Sequence, residues 1–345
     1  MKRYLFFITK PYSICIIKPL FEEITKTGRG ESLIFITKNM EQYIDSDLHY
    51  TMSIKEAISF CPDVVFVPGN IVHDRIPGLK VQIFHGLCDE KGGHYKITGF
   101  FDLYCTSGPL ITNRFKELAK KKGHFHVVET GWPKIDLLLK SFDRENICKS
   151  LSIDPAKKII LYSPTFSPKF ESSKKIFPVL EDLPKDGELC VIKFHDLMEA
   201  KNIECFSKLR RDSFLLYSEP DNIPLLQIAD VLISDTSSVV YEFMLLDKPV
   251  ITIDSKIRLE KGINITDARQ LRSAVDRSFA NPEEYSLNRI KVLDQIHPYR
   301  DTSSSKRVLD AVDEILNSGT IKDLKKKPLN LYRRYRVRRK FGYWF

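Results

Sequence analysis

No apolar stretch of this sequence reaches the roughly 18 to 20 uncharged residues that a membrane helix needs, because the longest candidates are cut by Lys10, Lys18 or a proline. A bilayer-spanning segment is therefore not expected. Paired cysteines are missing too. The seven present (Cys15, Cys61, Cys88, Cys105, Cys148, Cys190 and Cys205) are odd in number, scattered and never spaced C-x-x-C. That excludes a zinc ribbon and argues against a disulfide framework, leaving thiols suited to a reducing compartment, so the cytosolic side is favoured. Internal repeats, low-complexity tracts and metal-ligand spacings are likewise lacking. The start, Met1-Lys2-Arg3 followed by Tyr4 to Ile8, is closed by Lys10 and Pro11 before it reaches signal-peptide length, and is expected to form a first buried strand.

What is present suits two linked α/β domains: 345 residues, 43% hydrophobic and 29% charged, a composition that excludes a disordered or fibrous chain. The net charge of +9 is localised. Residues 322–345 hold ten of the 54 basic residues and one of the 45 acidic ones, leaving the preceding chain balanced. Tyr332, Tyr335, Phe341, Tyr343, Trp344 and Phe345 are interleaved with those cations, the composition of a segment that lies in an anionic lipid interface. A solvated basic tail and RNA binding are the other readings; a lipid surface is expected, and no nucleic acid.

Apolar runs rich in β-branched and aromatic residues recur between helical stretches. The first set comprises Tyr4 to Ile8, Ser32 to Ile36, Val64 to Val67, Val81 to Phe84, Leu103 to Thr106 and Val127 to Thr130. The second comprises Ile159 to Tyr162, Cys190 to Phe194, Phe214 to Tyr217, Val231 to Ser234 and Val250 to Ile253. Such alternation predicts two parallel sheets covered by helices. A hinge is expected around residues 140 to 157, and only helices after Ile253. The expected division is 1–145, 146–320 and a basic aromatic tail, 321–345.

Ligands of such sheets bind beyond the carboxyl ends of strands, and three strand ends carry polar chemistry. Val231 to Ser234 runs into Asp235, Thr236, Ser237 and Ser238, then a helix containing Glu242. These hydroxyls could hold a phosphate, or merely cap the helix. His85-Gly86 follows the run ending at Phe84; it suits a general base beside a glycine that lets substrate approach, or a structural histidine. Lys193 and His195, two apart, would share one face of a strand and could balance phosphate charge, or form a solvated edge. Tyr162-Ser163-Pro164-Thr165 adds a weaker phosphate or ribose contact.

In this order and spacing, the motifs resemble the CDP-glycerol glycerophosphotransferase family, which builds teichoic-acid and related capsule polymers. The resemblance runs from about residue 80 to about 310 and is most specific in Ser234-Asp-Thr-Ser-Ser238 with Tyr241-Glu-Phe-Met-Leu-Leu-Asp-Lys-Pro249. Thr130-Gly-Trp-Pro-Lys-Ile-Asp136 and Asp301-Thr-Ser-Ser-Ser-Lys-Arg307 support it. After His85-Gly86, Leu87, Cys88, Asp89, Lys91 and Gly92 depart from the family's usual Thr and Pro-Leu-Lys. The resemblance implies a glycosyltransferase type B-like architecture, two Rossmann-like domains with parallel sheets facing a central cleft. It further implies transfer of a glycerol phosphate or other polyol phosphate from a CDP-linked donor to an acceptor hydroxyl, releasing CMP. The acceptor would be lipid-linked or polymeric. His85 and His195 would be catalytic, and Gly86, Asp136, Ser163, Thr165, Lys193, Asp235, Thr236, Ser237, Ser238 and Glu242 would bind substrate. No cofactor is implied, a divalent metal entering only through donor phosphates. The enzyme would be cytoplasmic and peripheral at the inner face of the cell membrane, with residues 322–345 on the anionic surface. A nucleotide-sugar glycosyltransferase of capsule or lipopolysaccharide assembly is the alternative on the same fold.

Overall fold

The computed structural model of the protein describes residues 1–90, 92–209 and 212–344. Lys91 and Phe345, both named above, lie outside the described residues. The chain divides into two compact units: Met1–His85, Lys91–Leu137 and Ile296–Phe345 form the first, Gly86–Glu90 and Leu138–Gln295 the second.

The first unit holds β1 (Lys2–Phe7), β2 (Gly30–Phe35), β3 (Tyr50–Thr51), β4 (Val64–Val67), β5 (Leu79–Gln82), β6 (Leu103–Thr106) and β7 (His126–Glu129), ordered β3-β2-β1-β4-β5-β6-β7. Every pairing is parallel, with Tyr4 opposite both Ser32 and Val64. The central strands read as unbroken apolar runs because helices cover both faces; all four residues of β4 are buried. The second unit holds β8 (Lys158–Tyr162), β9 (Glu188–Lys193), β10 (Phe214–Tyr217), β11 (Val231–Ser234), β12 (Val250–Ile253) and β13 (Ile263–Ile265), ordered β10-β9-β8-β11-β12-β13 and again parallel. Its core gathers Ile160, Tyr162, Ile192, Ile233 and Ile251. Strand order reverses between β1 and β4 in the first sheet and between β8 and β11 in the second, the positions where open α/β sheets leave a crevice.

Three expectations are corrected. β13 is a strand after Ile253, where only helices were expected, and β3 was not foreseen; at three and two residues, neither is long enough to leave a periodic signal. Residues 296–320 pack with the first unit, although the expected boundary placed them in the second. There Ser304–Ser318 lies on Ile14–Thr27, with Lys2 to Asp313 at 2.5 Å and Arg29 to Asp310 at 2.7 Å. Residues 321–345, expected as a basic aromatic tail, belong to the first unit. The helix Leu331–Phe341 buries Val337 in the first core and sets Phe341 edge-on to Phe7 and Phe35, while Arg338 pairs with Asp74 at 2.6 Å.

Candidate active site

In the second unit, two polar loops leave the sheet side by side at its switch point. Ser163 donates its amide to the Ile233 carbonyl, at 3.0 Å, and Ser234 Oγ donates to the Ser163 carbonyl, at 2.5 Å. Asp235 completes the junction. Its Oδ1 accepts from the Thr165 amide at 2.8 Å, and its Oδ2 from the amide and hydroxyl of Ser172 at 3.0 and 2.8 Å. At 2% exposure this carboxylate organises the loop after β8 from within the protein. Thr165 and Thr236 are buried with it, whereas Ser237 and Ser238 are half-buried at the rim. Glu242 is buried in the helix Val239–Met244.

The same unit includes Gly86. A Cβ placed there would stand 3.0 Å from Ser238 Oγ and 3.3 Å from Ser238 Cβ, so this glycine permits a close approach to the serine pair. The loop it opens is latched: Arg258 grips Asp89 with two hydrogen bonds of 2.8 and 2.6 Å and donates to Tyr241 Oη at 2.7 Å, and Tyr241 donates to Glu90 at 2.7 Å. Burial together with the Glu90 carboxylate holds the Tyr241 hydroxyl well above the usual range for tyrosine.

His195 lies just past the end of β9, so the expected strand does not carry it on a common face with Lys193. It packs 4.4 Å from the Phe166 ring and accepts the Leu197 amide at Nδ1, at 3.1 Å. Neutral His195 therefore bears its proton on Nε2, as a donor. Lys193, buried at the end of β9, pairs with Asp196 at 3.6 Å.

The first unit places His85 beyond β5. Phe84, immediately before it, is in the left-handed region at φ 58°, a costly conformation for a bulky residue. A relay holds that turn: His297 Nε2 accepts the Trp132 amide at 2.9 Å, and the Trp132 indole donates to the Phe84 carbonyl at 3.2 Å. His85 contacts the Pro68 carbonyl through Nδ1 at 3.4 Å, with His94 5.2 Å away between ring centres. A carbonyl can only accept, so Nδ1 carries the proton and Nε2 a lone pair. Burial lowers the His85 pKa below its ordinary value, keeping that lone pair available near neutrality.

Asp136, in the first unit, has a structural task. Its two oxygens accept the amides of Ser304 and Ser305, at 2.9 and 2.7 Å, and so cap the helix Ser304–Ser318. Arg307 bonds the Thr130 carbonyl at 2.8 Å, so the motifs Thr130 to Asp136 and Asp301 to Arg307 are two sides of one structural lock. Asp247-Lys248-Pro249 is structural too. Asp247 turns left-handed, Arg289 holds it at 2.8 Å, and Lys248 caps the C-terminal end of the helix Ile223–Ile228 through the carbonyls of Gln227 and Ala229.

Residues not anticipated are Phe84, Arg258, Glu90 and His297. Arg258 left no sequence signal, since its partners lie 169 and 17 positions away. Trp132 and Tyr241 stood inside quoted motifs but without a role. Among the described residues, no group of three or more His, Cys, Asp or Glu side chains could hold a metal ion, and no helix is long and apolar enough to cross a membrane.

Two Rossmann-like, parallel-sheet units, the second with paired polar loops at its switch point, define a protein of glycosyltransferase type B-like fold. Residues 94–259 match the family described as CDP-Glycerol:Poly(glycerophosphate) glycerophosphotransferase. A teichoic acid glycerol-phosphate primase of Bacillus spizizenii is 35% identical over 164 residues, 45% of this chain and 41% of that protein. A primase of the same description from Bacillus subtilis strain 168 is 26% identical over 234 residues, 64% of this chain and 60% of that one. The chain thus spans less than two thirds of the length of either relative. The solved wall teichoic acid polymerase TagF shares the fold, with TM-score 0.68 at 15% identity over 92% of this chain and 89% of that chain.

Proposed function

We propose that this protein transfers a glycerol phosphate, or another polyol phosphate, from a CDP-linked donor to an acceptor hydroxyl in the synthesis of a teichoic acid or related polymer. The observation that carries this reading is the paired loop at the second switch point, Ser163 to Thr165 beside Ser234 to Ser238, lying inside the stretch that matches the family. Ser237, Ser238 and Thr165 would hold the diphosphate, with Asp235 fixing their loops. The acceptor oxygen attacks the phosphorus of the transferred group, the bond from that phosphorus to the CMP oxygen breaks, and CMP leaves. His85 takes the hydroxyl proton at Nε2, while His195 donates from Nε2 and Lys193 offsets charge on the phosphate. A divalent ion, where the reaction uses one, comes on the donor phosphates. The acceptor is lipid-linked or polymeric, which places the enzyme on the inner face of the membrane with residues 322–345 against anionic lipid.

Incubation with a panel of CDP-polyols and nucleotide sugars tests this. CMP release coupled to a phosphodiester product is expected. UDP release with a glycosidic product would select the glycosyltransferase alternative.

A further inference from the structure

Docking of the C-terminal helix divides its aromatic and basic residues into two faces. Val337, Arg338 and Phe341 face the first unit, at helical spacing. Tyr332, Tyr335, Arg336 and Arg339 face away and are exposed. Leu329, Leu331 and Tyr332, close together along the chain, are each 70% or more exposed. Arg336 lies over the Tyr332 ring at 5.8 Å, and the Tyr335 and Trp344 rings are 5.5 Å apart.

Beside this face lies a cavity of about 690 Å³ whose lining includes Lys122, His124, Lys326, Arg333, Leu331 and Tyr332 and, among the described residues, no carboxylate. Arg333 is held in place by the Thr98 carbonyl at 2.9 Å. The Lys325 amide bonds the Gly123 carbonyl at 2.8 Å, which sets the lysine-rich end of the helix Pro109–Lys122 beside the basic C-terminal segment. His124 is buried, and its Nε2 has no partner among the described residues.

We propose that this face and cavity form a docking surface for an anionic phospholipid bilayer, with the cavity receiving a headgroup phosphate and Leu329, Leu331 and Tyr332 entering the interface. This refines the lipid-surface reading above and stands apart from the transfer chemistry. A bilayer fits because cations surround protruding aliphatic side chains, which gain by leaving water for an acyl boundary; a nucleic-acid backbone would leave those leucines exposed.

The test is flotation of the full chain with vesicles of phosphatidylglycerol and phosphatidylcholine, against vesicles of phosphatidylcholine alone, without donor or acceptor. Wild type is expected to favour the anionic vesicles by roughly tenfold or more, and to lose that preference as salt rises. Lys122→Glu with Lys326→Glu should abolish the preference, and Leu331→Ser with Tyr332→Ser should weaken binding several-fold with little change in melting temperature. Equal binding to both vesicle types, or variants that float like wild type, would overturn the proposal. So would a single-stranded RNA oligonucleotide that binds more tightly than the vesicles and is lost in the same variants. If wild type releases no CMP from any donor yet floats as expected, the transfer reading fails and this one stands.

Discussion

In its neutral form His85 donates from Nδ1 to the Pro68 carbonyl, whereas neutral His195 accepts the Leu197 amide at the same ring position. The remaining nitrogen is thus a lone pair in one and an N–H in the other, which assigns base and donor without reference to any ligand. His85→Ala is expected to cut CMP release by about 10²- to 10⁴-fold while donor affinity, read by calorimetry, stays near wild type. Because burial lowers the pKa of His85, the acid limb of its rate profile should fall below the ordinary histidine value; a limb above it would sink the assignment. His297 is the second titrating group. Burial pushes its pKa down to about 4 from 6.5, so between those values the unfolded chain binds the extra proton. The stability it contributes is whole above about pH 6.5 and is lost as pH falls toward 4, by about 3 kcal/mol. Trp132→Phe, which removes the indole donor to Phe84, should lower kcat more than it raises KM, and a pure KM effect would contradict the relay. His85-Gly86 was legible as a strand-end pair, but the relay was not: its members lie 48 and 165 positions apart along the chain.

Among the elements, the loop after β8 depends on a carboxylate from the loop after β11. Asp235 accepts three hydrogen bonds, and an amide in its place would turn a donor toward at least one buried N–H. Asp235→Asn should therefore cost about 2 to 3 kcal/mol by thermal or denaturant unfolding and weaken donor binding; retention of both would return Asp235 to the rank of an ordinary loop residue. The sequence marked Asp235 as polar chemistry at a strand end, correctly for position, but composition does not distinguish a residue that touches ligand from one that holds the ligand's loop. Asp136 makes the same point. A carboxylate in a family-like string was read as substrate-binding, and the fold supplies it with two backbone amides from a helix 168 residues onward.

For the molecule as a whole, the C-terminal segment decides how experiments must be designed. Deleting 322–345, the truncation its composition invites, would strip Val337 and Phe341 from the first core together with the basic face. Phe341→Ala alone should lower stability by about 2 kcal/mol, since the ring is partly buried against Phe7 and Phe35. An unchanged melting temperature would show the helix undocked in solution. Vesicle binding is for that reason better read through surface substitutions than through truncation.

By itself, the sequence determined the two parallel sheets, the strand ends that carry chemistry and the family resemblance, because these depend on local apolar runs and on motifs contiguous along the chain. Only the tertiary structure decided which unit owns residues 296–345, which polar groups cap and which face outward, and how Phe84 is held in its turn. Those outcomes depend on partners far away in the chain, and burial and hydrogen-bond satisfaction choose among them only once the backbone has brought such partners together.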